Sequence, residues 1–141
     1  MRTLVLCLVA VLGFSCQQAA DRAGKAGHDV VTSRQEEVSR LLRDHYRDSE
    51  MGFEVRGPLT ISQVEQESLE ELSKSPRKDI PPGPFGFEGH KWLQLKSKYV
   101  CGDELYFFTS DERSWSYLSG IKGYVLVRGN TFVDGIITGM N

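Results

Sequence analysis

The chain is predicted to be an α+β domain: an N-terminal amphipathic helix packed on a curled antiparallel sheet of about four strands, closing with a C-terminal β-hairpin. Three patterns predict it. Apolar residues recur at helical spacing from Val38 to Tyr46. Short runs rich in aromatic and β-branched residues follow, from Phe53 and again from Glu104. Near the C terminus two such runs flank Gly129-Asn130.

The helix is expected over 33–48. Val38, Leu41, Leu42, His45 and Tyr46 fall on one stripe, and Arg40, Arg43, Asp44 and Arg47 decorate the other face. Ser33 and Glu36 have the spacing of a capping box, in which each side chain reaches the other's backbone N–H. Phe53 to Ile61 reads as extended, and Pro58 confines it to an edge or a bulge because proline brings no N–H to a ladder. Ser62-Gln63-Val64-Glu65 again resembles a cap, opening a weaker helix to about Ser73 that buries Val64, Leu69 and Leu72.

A long loop is expected over 75–89, where Pro81, Pro82 and Pro84 preclude pairing and Gly83, Gly86 and Gly89 supply bends. The segment around Trp92, Leu93 and Leu95 reads as a strand, with a helical turn as the alternative. Glu104–Thr109 is a strand after a Cys101-Gly102-Asp103 turn. Ser110–Gly120 is a connection, with Asp111-Glu112-Arg113 as a solvated turn. The two-residue link Gly129-Asn130 joins the hairpin strands Gly123–Arg128 and Thr131–Thr138. Counting outward from that turn pairs Arg128 with Thr131, Leu126 with Val133, Val125 with Asp134 and Tyr124 with Gly135. Val125 and Val127 then share a face with Phe132 and Ile136. Both faces are apolar, so the hairpin belongs in the interior of the sheet. This order of elements is similar to that of cystatin-like and NTF2-like folds, an analogy of layout that carries no function.

Ahead of the domain, Met1-Arg2-Thr3 precedes an apolar run from Leu4 to Phe14, then Ser15-Cys16. A basic start, a short apolar stretch and a small residue form an export signal, and the run falls short of the roughly 20 residues a membrane-spanning helix needs. Residues 1–15 are therefore expected to be a signal peptide, 16–32 a polar flexible tether and 33–141 a single domain. Gly13-Phe14-Ser15-Cys16 resembles the lipobox of bacterial lipoproteins, although Gly13 and Phe14 stand where that family has Leu and a small residue. The resemblance implies lipidation at Cys16 and anchoring in the cell membrane or outer membrane. The alternative is a secreted or periplasmic soluble protein. Cys7 leaves with the signal, so a Cys16–Cys101 disulfide is open only if Cys16 carries no lipid.

Formal net charge is −2, from 17 Lys and Arg against 19 Asp and Glu, which gives no electrostatic case for nucleic acid. His28, His45 and His90 share no metal-ligand spacing, and no CxxC or HExxH occurs, so neither a metal nor a cofactor is expected. No residue is singled out as catalytic. The candidate binding residues are Phe85 and Phe87 in the loop, with Trp92, Trp115 and Tyr117, because large aromatics dominate binding hot spots. The same residues dominate small cores. The function expected is a lipid-anchored envelope domain, a non-catalytic module binding an envelope protein or glycan. The alternative is a small hydrolase or isomerase with His45, His90 or Cys101 in a pocket between helix and sheet.

Overall fold

The computed structural model describes residues 27–47 and 50–141. The signal peptide over 1–15, Cys16 and the tether as far as Ala26 lie outside the described residues. The elements run α1 (Gly27–Tyr46), β1 (Phe53–Leu59), α2 (Ile61–Ser73), α3 (Gly89–Lys98), β2 (Glu104–Ser110), α4 (Glu112–Ser116), β3 (Ile121–Arg128) and β4 (Thr131–Met140). The four strands form one antiparallel sheet in the order β1-β2-β3-β4. The fold is α+β, with α1 on the sheet and a C-terminal hairpin.

The sheet is covered on both faces, because its central strands are apolar at successive positions, Leu105–Phe108 and Tyr124–Val127. On one face Val38 and Leu42 of α1 meet Phe53, Tyr106, Phe108, Val125 and Val127. On the other, Val64 of α2 with Trp92 and Leu95 of α3 meet Leu105, Tyr124, Leu126 and Ile136. Successive strand residues point to opposite faces, so β2 and β3 supply both layers. Helices thus lie on either side of the sheet, α1 on one and α2 with α3 on the other.

Three local expectations are corrected. The helix starts at Gly27 rather than Ser33, so Ser33 lies inside it and the Ser33–Glu36 box does not form. Once Val38 and Leu42 are seated, adding a turn costs only propagation. Arg34 of this helix bonds Glu104 at 2.6 and 2.9 Å, Glu37 at 2.6 Å, Asn130 at 3.0 Å and the Gly129 carbonyl. The second helix is capped by Thr60 with Gln63, and it buries Val64 and Ser68 while Leu69 is exposed. Residues 89–98 are helix, not strand: Trp92 and Leu95, three apart, are buried, and Leu93 points to solvent.

The hairpin register also differs. Arg128 faces Thr131 as expected, but Leu126 faces Asp134, Val125 faces Gly135 and Tyr124 faces Ile136. An extra residue, Val133, bulges out of β4 between Phe132 and Asp134. One inserted residue reverses the parity of everything beyond it. Phe132 stays with Val125 and Val127, whereas Ile136 crosses to the layer of Tyr124 and Leu126.

Candidate functional site

The aromatic candidates separate. Trp92 is 1 % exposed, and its Nε1 donates to Glu65 at 2.9 Å. Phe85 packs on Trp92 and Tyr124 with ring centroids 5.0 and 5.6 Å apart. Its backbone N–H donates to Ser68 Oγ at 2.7 Å. These two rings are core, and they pin the loop. Phe87 is 52 % exposed, with the Arg77 guanidinium 5.3 Å from its ring centre. Trp115 is half-buried, donates from Nε1 to Thr109 at 3.1 Å and covers Gly120, where a Cβ would meet the indole at 2.3 Å. Tyr117, after α4, is 76 % exposed. Of the five, only Phe85 and Trp92 meet.

The polar candidates do not converge. His45 stacks on Phe132 with centroids 3.7 Å apart, on the α1 face. His90 Nδ1 lies 3.2 Å from the Phe87 carbonyl, at the start of α3 on the opposite face. Cys101 is exposed in the turn before β2. Among the described residues no three His, Cys, Asp or Glu side chains group to hold a metal ion. Nor is any described helix long and apolar enough to cross a membrane.

Several charged residues, Asp111 of the expected solvated turn among them, work as fasteners. Asp111 caps α4 through Ser114 at 2.8 Å and also accepts from the Gly52 N–H at 3.1 Å. The Ser114 hydroxyl holds its carboxyl below the ordinary range. Glu67 takes both Arg56 nitrogens at 2.8 Å and the Tyr124 hydroxyl at 3.1 Å. Glu65 receives Lys96 Nζ at 2.6 Å besides the Trp92 indole. Arg56 and Lys96 respectively keep Glu67 and Glu65 ionised to lower pH than usual. Asp103 is clasped by Arg128 at 2.7 and 2.9 Å.

A groove of about 490 Å³ opens between α1 and the edge strand β1. Gln35, Glu36, Ser39, Arg40 and Arg43 form its helix wall, and Phe53–Val55 its floor. Ser39 Oγ donates to the Phe53 carbonyl at 2.9 Å, and Gln35 Nε2 to the Gly57 carbonyl at 3.0 Å. Both carbonyls therefore point away from β2. Antiparallel strands alternate the direction of their backbone groups, so Val55, midway between them, turns its N–H and C=O into the groove. The two contacts also fix the helix antiparallel to the strand, with Glu36 toward the Gly57 end and Arg40 and Arg43 toward the Phe53 end. Arg43 Nη1 donates to Ser39 Oγ at 3.1 Å, continuing that chain of bonds.

Sequence reasoning misses this groove. Arg40 and Arg43 read as solvent decoration, and only the position of α1 beside an edge strand makes them a wall. The available signal is Gln35 and Ser39, two amides or hydroxyls a helical turn apart on the border of the apolar stripe. Set against family models, curated proteins and solved structures, the chain finds no match in any of the three.

Proposed function

We propose that this chain is a lipid-anchored cell-envelope domain that acts by binding a protein partner, without catalysis. The single observation that carries the binding half is the groove, where the edge strand β1 and a charged helix wall line one opening. Between the two carbonyls that α1 already bonds, β1 has no partner strand on its outer side among the described residues, and an unpaired edge is a template for another chain. The aromatic loop contributes less than its composition implies, since Phe85 and Trp92 are spent on the core and Phe87 alone is exposed there. The anchoring half rests on the Met1–Cys16 pattern: basic start, apolar run, small residue, cysteine. Two acyl chains on one cysteine make a stable attachment where a single chain is marginal.

The test is the intact mass of the mature protein from the membrane and soluble fractions of its native host. The expected species begins at Cys16, carries acyl mass and sits in the membrane fraction. A soluble species without acyl mass, two hydrogens lighter than the reduced chain, would instead join Cys16 to Cys101. One sulfur cannot hold both a lipid and a disulfide, so that result removes the anchor.

A further inference from the structure

We infer that the groove between α1 and β1 takes an extended peptide as an added strand, antiparallel to β1, whose C-terminal end is acidic or is the chain's own terminal carboxylate. The inference rests on the reading of this chain as a binding domain and names the kind of partner.

The two edges of the sheet are built differently. β4 is interrupted twice, by Val133 and by Thr138, each an extra residue without an opposite number on β3. Such bulges spoil an edge for pairing. β1 keeps regular register with β2 from Phe53 to Arg56 and breaks only beyond, before Leu59. Its outward groups at Phe53, Val55 and Gly57 recur every second residue, the spacing a new strand requires. Gln35 and Ser39 occupy the two flanking carbonyls and leave the central residue to a ligand. A carbonyl has two lone pairs, so even the flanking ones keep capacity.

For an antiparallel ligand, charge sets which end is acidic. An antiparallel ligand enters at the Gly57 end and finishes at the Phe53 end. Its later residues then lie beside Arg40 and Arg43, and its earlier ones beside Glu36. Arginine guanidinium groups present forked donors that match a carboxylate. Phe53 and Val55 pack under α1, so Glu54, between them, turns its side chain to the other face of the sheet, and Glu36 is the acidic residue of the helix wall, at the end away from Arg43. A strand crossing from Gly57 to Phe53 spans about five residues. Helix wall on one side and strand edge on the other is the geometry of β-strand addition, in which backbone bonds give affinity and flanking side chains give selectivity.

The probe is a random decapeptide library with free carboxyl termini, presented to the full mature chain, with the selected peptides titrated by fluorescence anisotropy. Enriched peptides should carry Asp, Glu or the terminal carboxylate at their last positions. Amidating those groups should weaken binding by about tenfold or more. Arg40→Glu with Arg43→Glu should cost at least about tenfold, and Val55→Pro, which deletes the central donor, a similar factor. Phe87→Ala should stay within about twofold. Hydrogen exchange at the Val55 amide of the unaltered protein should slow when peptide is bound, a readout independent of whether Val55→Pro folds. Peptides that bind while Val55 exchange and the arginine variant are unaffected overturn the groove and leave the binding-domain reading standing. No enriched peptide at all overturns the strand-addition reading, as does a dimer in sedimentation that Val55→Pro dissociates, which gives the edge to a second copy. The mass measurement is untouched by any of these results, so anchoring fails or stands separately.

Discussion

Phe85 adopts φ +64°, a left-handed conformation that bulky side chains rarely accept. It is held there because its ring lies between Trp92 and Tyr124 and its N–H on Ser68. Strain of that kind persists only where surrounding contacts over-determine it. Phe85→Ala should therefore cost about 2 kcal/mol in urea unfolding, while Phe87→Ala, two residues on, should change stability by less than about 0.5 kcal/mol. Equal losses at both positions would put Phe87 in the core and contradict its exposure. In the sequence the two phenylalanines are equivalent aromatics in a Pro/Gly loop. What separates them is a backbone angle and one serine on α2, neither of which composition records.

The elements whose patterns are strong come through from the sequence: the Val38–Tyr46 stripe, Glu104–Thr109 and the Gly129-Asn130 turn all fall where periodicity and turn chemistry place them. The failures have specific physical causes. Trp92-Leu93-Gln94-Leu95 is apolar at both spacings, and a short apolar run leaves helix and strand undecided until a neighbouring surface selects positions 92 and 95. The slip at Val133 follows from counting residues across a hairpin as if no bulge intervened. β3 pays for the close approach of β4 with Gly123, where a Cβ would stand 2.1 Å from the Ile136 carbonyl oxygen. Backbone cannot yield as a flexible side chain can. Gly123→Ala should thus destabilise the domain by about 2 kcal/mol or more and loosen amide protection along β3 and β4. An alanine variant as stable as the parent would show that the strands separate there.

At the scale of the whole molecule, the sheet's two covered faces each hold a tyrosine whose hydroxyl resists ionisation. Burial, reinforced by the Glu104 carboxylate, pushes Tyr106 up to about 12. Burial, reinforced by Glu67, raises Tyr124 as well. An unfolded tyrosine ionises near pH 10. Their contribution is therefore complete below pH 10 and is lost as pH climbs from there through the folded values, because only the unfolded chain releases the protons. Stability should fall by about 2 kcal/mol between pH 10 and 12 from Tyr106 alone, and Tyr106→Phe should flatten that part of the curve. An unchanged alkaline limb in the phenylalanine variant would assign the loss elsewhere. The sequence supports a two-sided β3 and β2 through their uninterrupted apolar runs, yet it leaves open which helix covers which side, since that depends on the connection through residues 75–89. The Arg34 clasp bears on timing. Its partners at Glu37, Glu104, Gly129 and Asn130 span nearly the full domain. A chain that emerges N terminus first, from a ribosome or through a translocation channel, presents α1 long before the residues that fasten it exist in the same compartment. Closure of the Arg34 clasp is consequently a late event, and a chain halted before its last hairpin holds its first helix through β1 alone.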